Sequence, residues 1–206
     1  MTNNNPFAVA ITGASGTPYA VRLLQELIRR GERVDVMISA PGQIVMGMET
    51  SLKLPGRSAE IQRALSGHCG AAEGQLRVFG REEWTAPLAS GSSAPRAMVV
   101  CPCTTGTLAS IAAGTSSNLI ERAADVAIKE GRKLVLVPRE TPFSAIHLEN
   151  MLKLARLGVV ILPPNPGFYQ GPSSIDDLVD FVVARILDQL DVENDLAPRW
   201  GGDERK

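Results

Sequence analysis

Two short segments rich in glycine and hydroxyl side chains follow apolar runs directly: Gly13-Ala14-Ser15-Gly16 after residues 7–12, and Cys103-Thr104-Thr105-Gly106-Thr107 after residues 97–102. Backbone N–H groups at a helix start, unshielded by bulky side chains, bind phosphate. The first segment lacks the G-x-G-x-x-G spacing, so the dinucleotide fingerprint is absent, and alone it is equally a tight turn. A second such segment, with three hydroxyls, points to a phosphate-bearing ligand. Cations are available to the same end. Arg122 and Lys129 are seven apart and share a helix face. Arg139 follows the apolar run 133–138, and Arg185 borders an apolar helical stripe beside Leu178. Each alone reads as a solvated surface charge; set around one rim, they would grip phosphoryl groups.

Glu49 and Glu140 stand in or near the same loops and are the carboxylates placed for proton transfer. Tyr169 closes the rigid loop Asn165-Pro166-Gly167-Phe168-Tyr169, where it either donates to phosphate or plugs the core. Trp84 and Trp200 are the only tryptophans. Trp200 lies in a polar tail, residues 191–206, that is disordered unless it docks as a lid or subunit contact. Cys101 and Cys103 read as small buried residues at a strand end, since a redox pair is more typically C-x-x-C. His147 reads as a packing or surface group rather than a base.

The elements that must position these residues alternate in type. Residues 7–12 form a strand, followed by a helix with Thr17 as cap and Pro18 at its first position, ending at Gly31. Residues 33–39 form a strand, and Pro41 opens a helix with Ile44, Val45 and Met48 facing inward. Residues 53–95 carry little pattern beyond Trp84 and Ser90-Gly91-Ser92. Strand 97–102 and helix 104–113 follow. A further helix is capped by Asn118, with Glu121 at capping-box spacing, and closed by Gly131. Then come strand 133–138, helix 144–157 and strand 159–162. In the last helix Ser174 is the cap, and Ile175, Leu178, Val179, Val182, Val183, Ile186, Leu187 and Leu190 form one apolar stripe. This alternation implies an α/β fold, a Rossmann-like (flavodoxin-like) three-layer sandwich with a mainly parallel sheet. Ligands then bind beyond the carboxyl ends of the strands, which sets loops 13–17, 39–42, 102–107, 138–143 and 163–173 on one rim.

The chain's 206 residues suit one domain, 1–190, followed by the tail 191–206. A net charge of −1 argues against a nucleic-acid binder relying on general electrostatic attraction. No apolar stretch is long enough to span a membrane, and the first residues lack a signal peptide's pattern. Three cysteines and two histidines offer neither a disulfide framework nor zinc spacing. The expectation is a cytoplasmic, reduced, metal-free protein.

Over nearly its whole length the chain resembles the UbiX family of flavin prenyltransferases. The likeness runs through Ile11-Thr12-Gly13-Ala14-Ser15-Gly16, Pro102-Cys103-Thr104-Thr105-Gly106-Thr107-Leu108-Ala109, Asn118-Leu119-Ile120-Glu121-Arg122-Ala123-Ala124-Asp125-Val126, Val137-Pro138-Arg139-Glu140-Thr141-Pro142, Ile146-His147-Leu148-Glu149-Asn150-Met151, Pro166-Gly167-Phe168-Tyr169 and Ile175-Asp176-Asp177-Leu178-Val179-Asp180-Phe181. The family usually has Ser-Met where Thr104-Thr105 stands; Thr104 keeps the hydroxyl. The resemblance implies metal-independent transfer of a dimethylallyl group, from dimethylallyl monophosphate, to N5 and C6 of reduced FMN. The prenylated FMN then passes to a UbiD-type decarboxylase.

It further implies FMN contacts at Gly13, Ala14, Ser15, Ser39, Thr104, Thr105, Gly106, Thr107 and Arg139. Donor contacts would come from Arg122, Lys129, Arg139, Glu140, Tyr169 and Arg185, with Trp84 and Trp200 nearby. Catalytic roles would fall to Ser15, Glu49, Lys129 and Glu140, in a homododecamer whose sites lie between subunits. Two other readings stay open: an FMN-dependent decarboxylase of the cysteine-decarboxylase type, which needs a His base at the rim, and a non-catalytic FMN carrier.

Overall fold

The computed structural model describes residues 5–199. Six strands, β1 (Phe7–Ile11), β2 (Val34–Ile38), β3 (Leu76–Phe79), β4 (Ala97–Cys103), β5 (Lys133–Pro138) and β6 (Val160–Ile161), form one sheet in the order β3-β2-β1-β4-β5-β6. Every pairing is parallel. The expected α/β three-layer sandwich is therefore present, and its sheet is wholly parallel.

Helices α1 (Thr17–Arg29), α2 (Ala40–Glu49), α3 (Ser58–Cys69) and α7 (Ile175–Gln189) cover one face; α4 (Thr105–Ala113), α5 (Leu119–Lys129) and α6 (Ala145–Arg156) cover the other. β1 shows how its alternation divides the core. Phe7, Val9 and Ile11 pack toward α1 and α7, whereas Ala8 and Ala10 pack toward Ala123, Ala124 and Ala127 of α5. All five β1 residues are buried, which is why the strand reads as a continuous apolar run rather than an alternating one.

Several local expectations need revision. Thr17 is the first residue of α1, and Gly16, at φ 118°, is its cap. Ile44 and Met48 do not face inward: they are 66% and 78% exposed, and Met46 is the buried residue of that turn. Ile175 is 77% exposed and lies outside the buried stripe, which starts with Val179. Asn118 does cap α5, but the Glu121 carboxylate accepts from the Ser117 N–H and the Asn118 side-chain amide rather than closing a reciprocal box. Residues 53–95 hold a helix and a strand, α3 and β3, that their weak pattern hid.

Beyond α7 the chain packs on its own subunit as far as Arg199. Val192 is buried, Asp191 pairs with Lys133, and Asp195 pairs with Arg29 and Arg30. Trp200 and the residues after it lie outside the described range. Among the described residues no helix is long and apolar enough to cross a membrane.

Candidate functional site

In this strand order the direction of winding reverses between β1 and β4, and a crevice opens there beyond the strand ends. Both glycine- and hydroxyl-rich segments border it. Buried Thr12 joins them: its hydroxyl donates to the Pro102 carbonyl at 2.8 Å and accepts from the Thr104 N–H at 2.8 Å. The Thr104 hydroxyl caps α4, accepting from the Thr107 N–H at 3.1 Å, and lies 2.9 Å from the Thr107 hydroxyl. A Cβ added to Gly106 would meet only Thr104 Oγ1, at 4.0 Å, so this turn presents bare backbone to open space.

Ser39 arrives from the neighbouring loop because two glycines let backbones touch. A Cβ on Gly13 would sit 2.4 Å from the Pro41 Cβ, and one on Gly42 would sit 2.7 Å from the Ile11 carbonyl oxygen. Arg139, just past β5, reaches over the crevice and donates from Nε to the Ser15 carbonyl at 3.2 Å. Ser15, Ser39, Thr104, Thr107 and Arg139 thus converge beyond the ends of β1, β2, β4 and β5, with Gly13, Ala14, Thr105 and Gly106 in the same turns. Bare amides, short hydroxyls and one guanidinium form a donor set suited to a phosphorylated flavin.

Glu49 changes the reading of the first loop. Its Oε2 accepts from the Gly16 and Thr17 N–H groups and from the Thr17 hydroxyl, each at 2.9 Å. Burial pushes this carboxyl up, but the bonds from Ser15, Gly16 and Thr17 outweigh it and hold it below the ordinary Glu range. The start of α1 therefore already carries an anion supplied by the end of α2, and the amides left to bind phosphate are those of the preceding turn.

The remaining candidates fall into separate patches of the single chain. Arg139 and Glu140 line a cavity of about 280 Å³ with Phe143 and Asn165. Tyr169 and Arg185 share another of about 150 Å³, walled by Phe181 and residues of the C-terminal segment. Asp176 of α7 borders a groove with Pro18 and Glu49; Arg185, nine residues further along the helix, lies roughly 13 Å beyond it.

Lys129 is not on the rim. It ends α5, next to the N-terminal edge of β5, pairs with Glu130 at 2.5 Å, and lies beside Gly91. Arg122 donates to the Ala89 carbonyl and pairs with Asp125. Trp84 is 48% exposed in the turn before a 3-10 segment, Pro87–Ala89. The spacing of seven does keep Arg122 and Lys129 on one helix, but the helix runs from the rim to the opposite edge.

His147 closes a capping box with Ser144 at the start of α6, and His68 faces Gln25 from α3. His147 is thereby held at the start of α6, whereas His68 lines the groove that Pro18 and Glu49 border. Cys101 and Cys103 are fully buried, and burial pushes Cys103 up to about 12, so both are inert packing groups. Among the described residues no cluster of His, Cys, Asp and Glu could hold a metal. Thr12 was missed as a site residue; a hydroxyl ending an otherwise apolar strand was its one signal.

A model of the flavoprotein family matches residues 1–187. Flavin prenyltransferase UbiX of Pseudomonas aeruginosa is 58% identical over 98% of this chain and 96% of its own length. The structure of AnUbiX (PadA1), in complex with FMN and dimethylallyl pyrophosphate, superposes with a TM-score of 0.86 at 38% identity, covering 97% of this chain and 99% of that one. A dodecameric FMN-dependent UbiX-like decarboxylase from Escherichia coli O157:H7 gives a TM-score of 0.85 at 41% identity, covering 96% and 100% of the two chains. The FMN-dependent cysteine decarboxylase TvaF shares the fold alone, at 16% identity and a TM-score of 0.60 over 93% of this chain and 100% of its own.

Proposed function

Since the chain belongs to the flavoprotein family and, within it, to the flavin prenyltransferases, we propose that its switch-point crevice holds reduced FMN while a dimethylallyl group is transferred to it from dimethylallyl monophosphate. The observation that carries this reading is the joining of the 13–16 and 104–107 turns by Thr12 under Arg139. Bound there, the reduced flavin supplies N5 and C6 as the atoms that accept the prenyl unit.

The protein's share of the chemistry follows from its charges. The donor's allylic C–O bond breaks with both electrons leaving on phosphate, so the developing negative charge needs donors already in place. Arg139 supplies a guanidinium group for it from the crevice. Arg185 with a guanidinium, Tyr169 with a hydroxyl, and Arg122 and Lys129 with further positive charge lie in other patches of the chain and would act on it from neighbouring subunits. A dry cavity keeps water from trapping the allylic cation. Closing the second bond releases a ring proton, which Glu140 or the departing phosphate accepts. Glu49, held ionised against Ser15, is placed to exchange a proton near the flavin's reacting edge. Every one of these steps is metal-independent.

Lys129 stands at the edge of the sheet opposite Arg139, so the two serve one reaction only if they come from different chains. We therefore assign Arg122 and Lys129, with Trp84, to the crevice of a neighbouring subunit in a homo-oligomer. The E. coli relative's dodecamer supports that assembly. We set the flavin domain at residues 1–190; residues 191–199 pack on the same chain, so only the segment from Trp200 onward is proposed to contact a neighbour. A UbiD-type decarboxylase receives the product, and a reduced flavin as acceptor suits the reducing cytoplasm.

Anaerobic incubation with reduced FMN and dimethylallyl monophosphate tests the reading: phosphate should appear and the flavin should gain one dimethylallyl unit. No phosphate and an unaltered flavin would leave the carrier reading. The cysteine-type decarboxylase reading is disfavoured because such a protein, TvaF, is only 16% identical to this chain, against 58% for a flavin prenyltransferase.

A further inference from the structure

The cavity shared by Tyr169 and Arg185 contains a second arginine that the sequence did not suggest. After α7 the chain turns back, and Asn194, Ala197, Pro198 and Arg199 form one wall of that cavity. Three contacts fix this strap. Gln170 donates to the Pro198 carbonyl at 2.9 Å, Asn194 donates to Asp188 Oδ1 at 3.1 Å, and Arg199 pairs with Asp188 Oδ1 at 3.0 Å. Asp188 Oδ2 meanwhile takes Arg185 at 2.7 Å. One carboxylate, with a side chain 18% exposed, therefore holds two guanidiniums that both line this cavity.

Each guanidinium has five N–H donors, and Asp188 meets one nitrogen of each, Arg185 Nη1 and Arg199 Nη2. Two Arg charges against one Asp leave the cluster net positive. The planar fork of donors on Arg suits it to bidentate recognition of a phosphoryl group. The loop geometry brings Tyr169 to the same place. Gly167 lies so close to Phe181 that an added Cβ would be 2.6 Å from its ring, and Tyr169 packs edge-on against that ring at 6.0 Å.

We propose that Arg199 is a further donor-binding residue, recognising the phosphoryl group beside Arg185 and Tyr169, and that Asp188 is the positioning residue for both arginines. This rests on the reading that Tyr169 and Arg185 hold the donor's phosphate. It makes the C-terminal strap part of the site rather than a spacer leading to Trp200.

The test is steady-state turnover of the full-length protein with reduced FMN saturating and dimethylallyl monophosphate varied, comparing R199Q, R199K and R185Q. Arg199 is 65% exposed, so its replacement leaves the core intact; FMN affinity, measured alongside, reports folding of the crevice. R199Q should raise the donor KM about tenfold, the loss of one charge-assisted hydrogen bond, with kcat reduced less than threefold and FMN affinity retained. R199K should recover part of that loss. Inorganic phosphate, as a competitive inhibitor, should weaken by a similar factor against R199Q. If R185Q raises KM while R199Q leaves KM and phosphate inhibition as they were, the role of Arg199 is refuted and the reading of Tyr169 and Arg185 stands. If neither variant moves KM, both fail together. A fall in kcat alone would make Arg199 structural and overturn the proposal.

Discussion

A single hydroxyl, that of Thr12, ties the two turns that border the crevice, and it is buried. Thr12→Val keeps the shape but leaves the Thr104 N–H without its acceptor. An unsatisfied buried group costs about 1–3 kcal/mol, so the melting temperature should fall and FMN should bind several-fold more weakly; calorimetry and flavin titration measure the two. Glu49 makes the complementary case. A carboxyl whose folded pKa is depressed contributes stability that is present above its unfolded value and lost as pH falls through the folded one. Glu49→Gln should therefore cost about 1 kcal/mol at neutral pH, the usual worth of a helix cap. The gap from wild type should begin to close as pH falls through the ordinary Glu range and vanish below the depressed folded value. Denaturant titrations at several pH values would show it, and a gap that widened in acid would contradict the assignment. Glu49 was legible as a rim carboxylate, but its engagement with α1 was not. That contact spans more than thirty positions of chain and leaves no local pattern.

Elements with strong periodicity were readable because their burial is one-sided or complete: β1, β4 and β5 as apolar runs, α7 as a stripe. α2 was misread at Ile44 and Met48, because a helix whose apolar residues face outward has the same composition as one turned the other way. α3 and β3 stayed hidden because few of their residues are buried, Ile61 and Leu65 in the helix and Leu76 and Val78 in the strand. The loop before α7 shows how an element sets a site. Gly167→Ala would press a methyl group into the Phe181 ring, an overpacking that costs about 1–3 kcal/mol. Tyr169 would shift with the ring, so the donor KM should rise more than the FMN dissociation constant. Equal effects on both would show that Tyr169 serves flavin rather than donor.

At the scale of the molecule, the rim predicted from alternating strands and helices is real for Ser15, Ser39, Thr104 and Arg139, and the strand order explains why they converge. It does not extend to Lys129, whose helix carries it to the opposite edge, and spacing along one chain cannot reveal what a neighbour supplies. Prenyl transfer is therefore proposed to occur where the crevice of one chain meets cations of another. Mixed oligomers test this directly. Lys129→Gln and Arg139→Gln chains, each inactive alone, are unfolded together, reassembled and assayed anaerobically for prenylated flavin. Random mixing leaves both groups intact at roughly a quarter of the shared sites, so activity should return to about that fraction of wild type. If reassembled mixtures stay as inactive as either variant alone, Lys129 and Arg139 do not meet across a subunit boundary and the composite site is wrong.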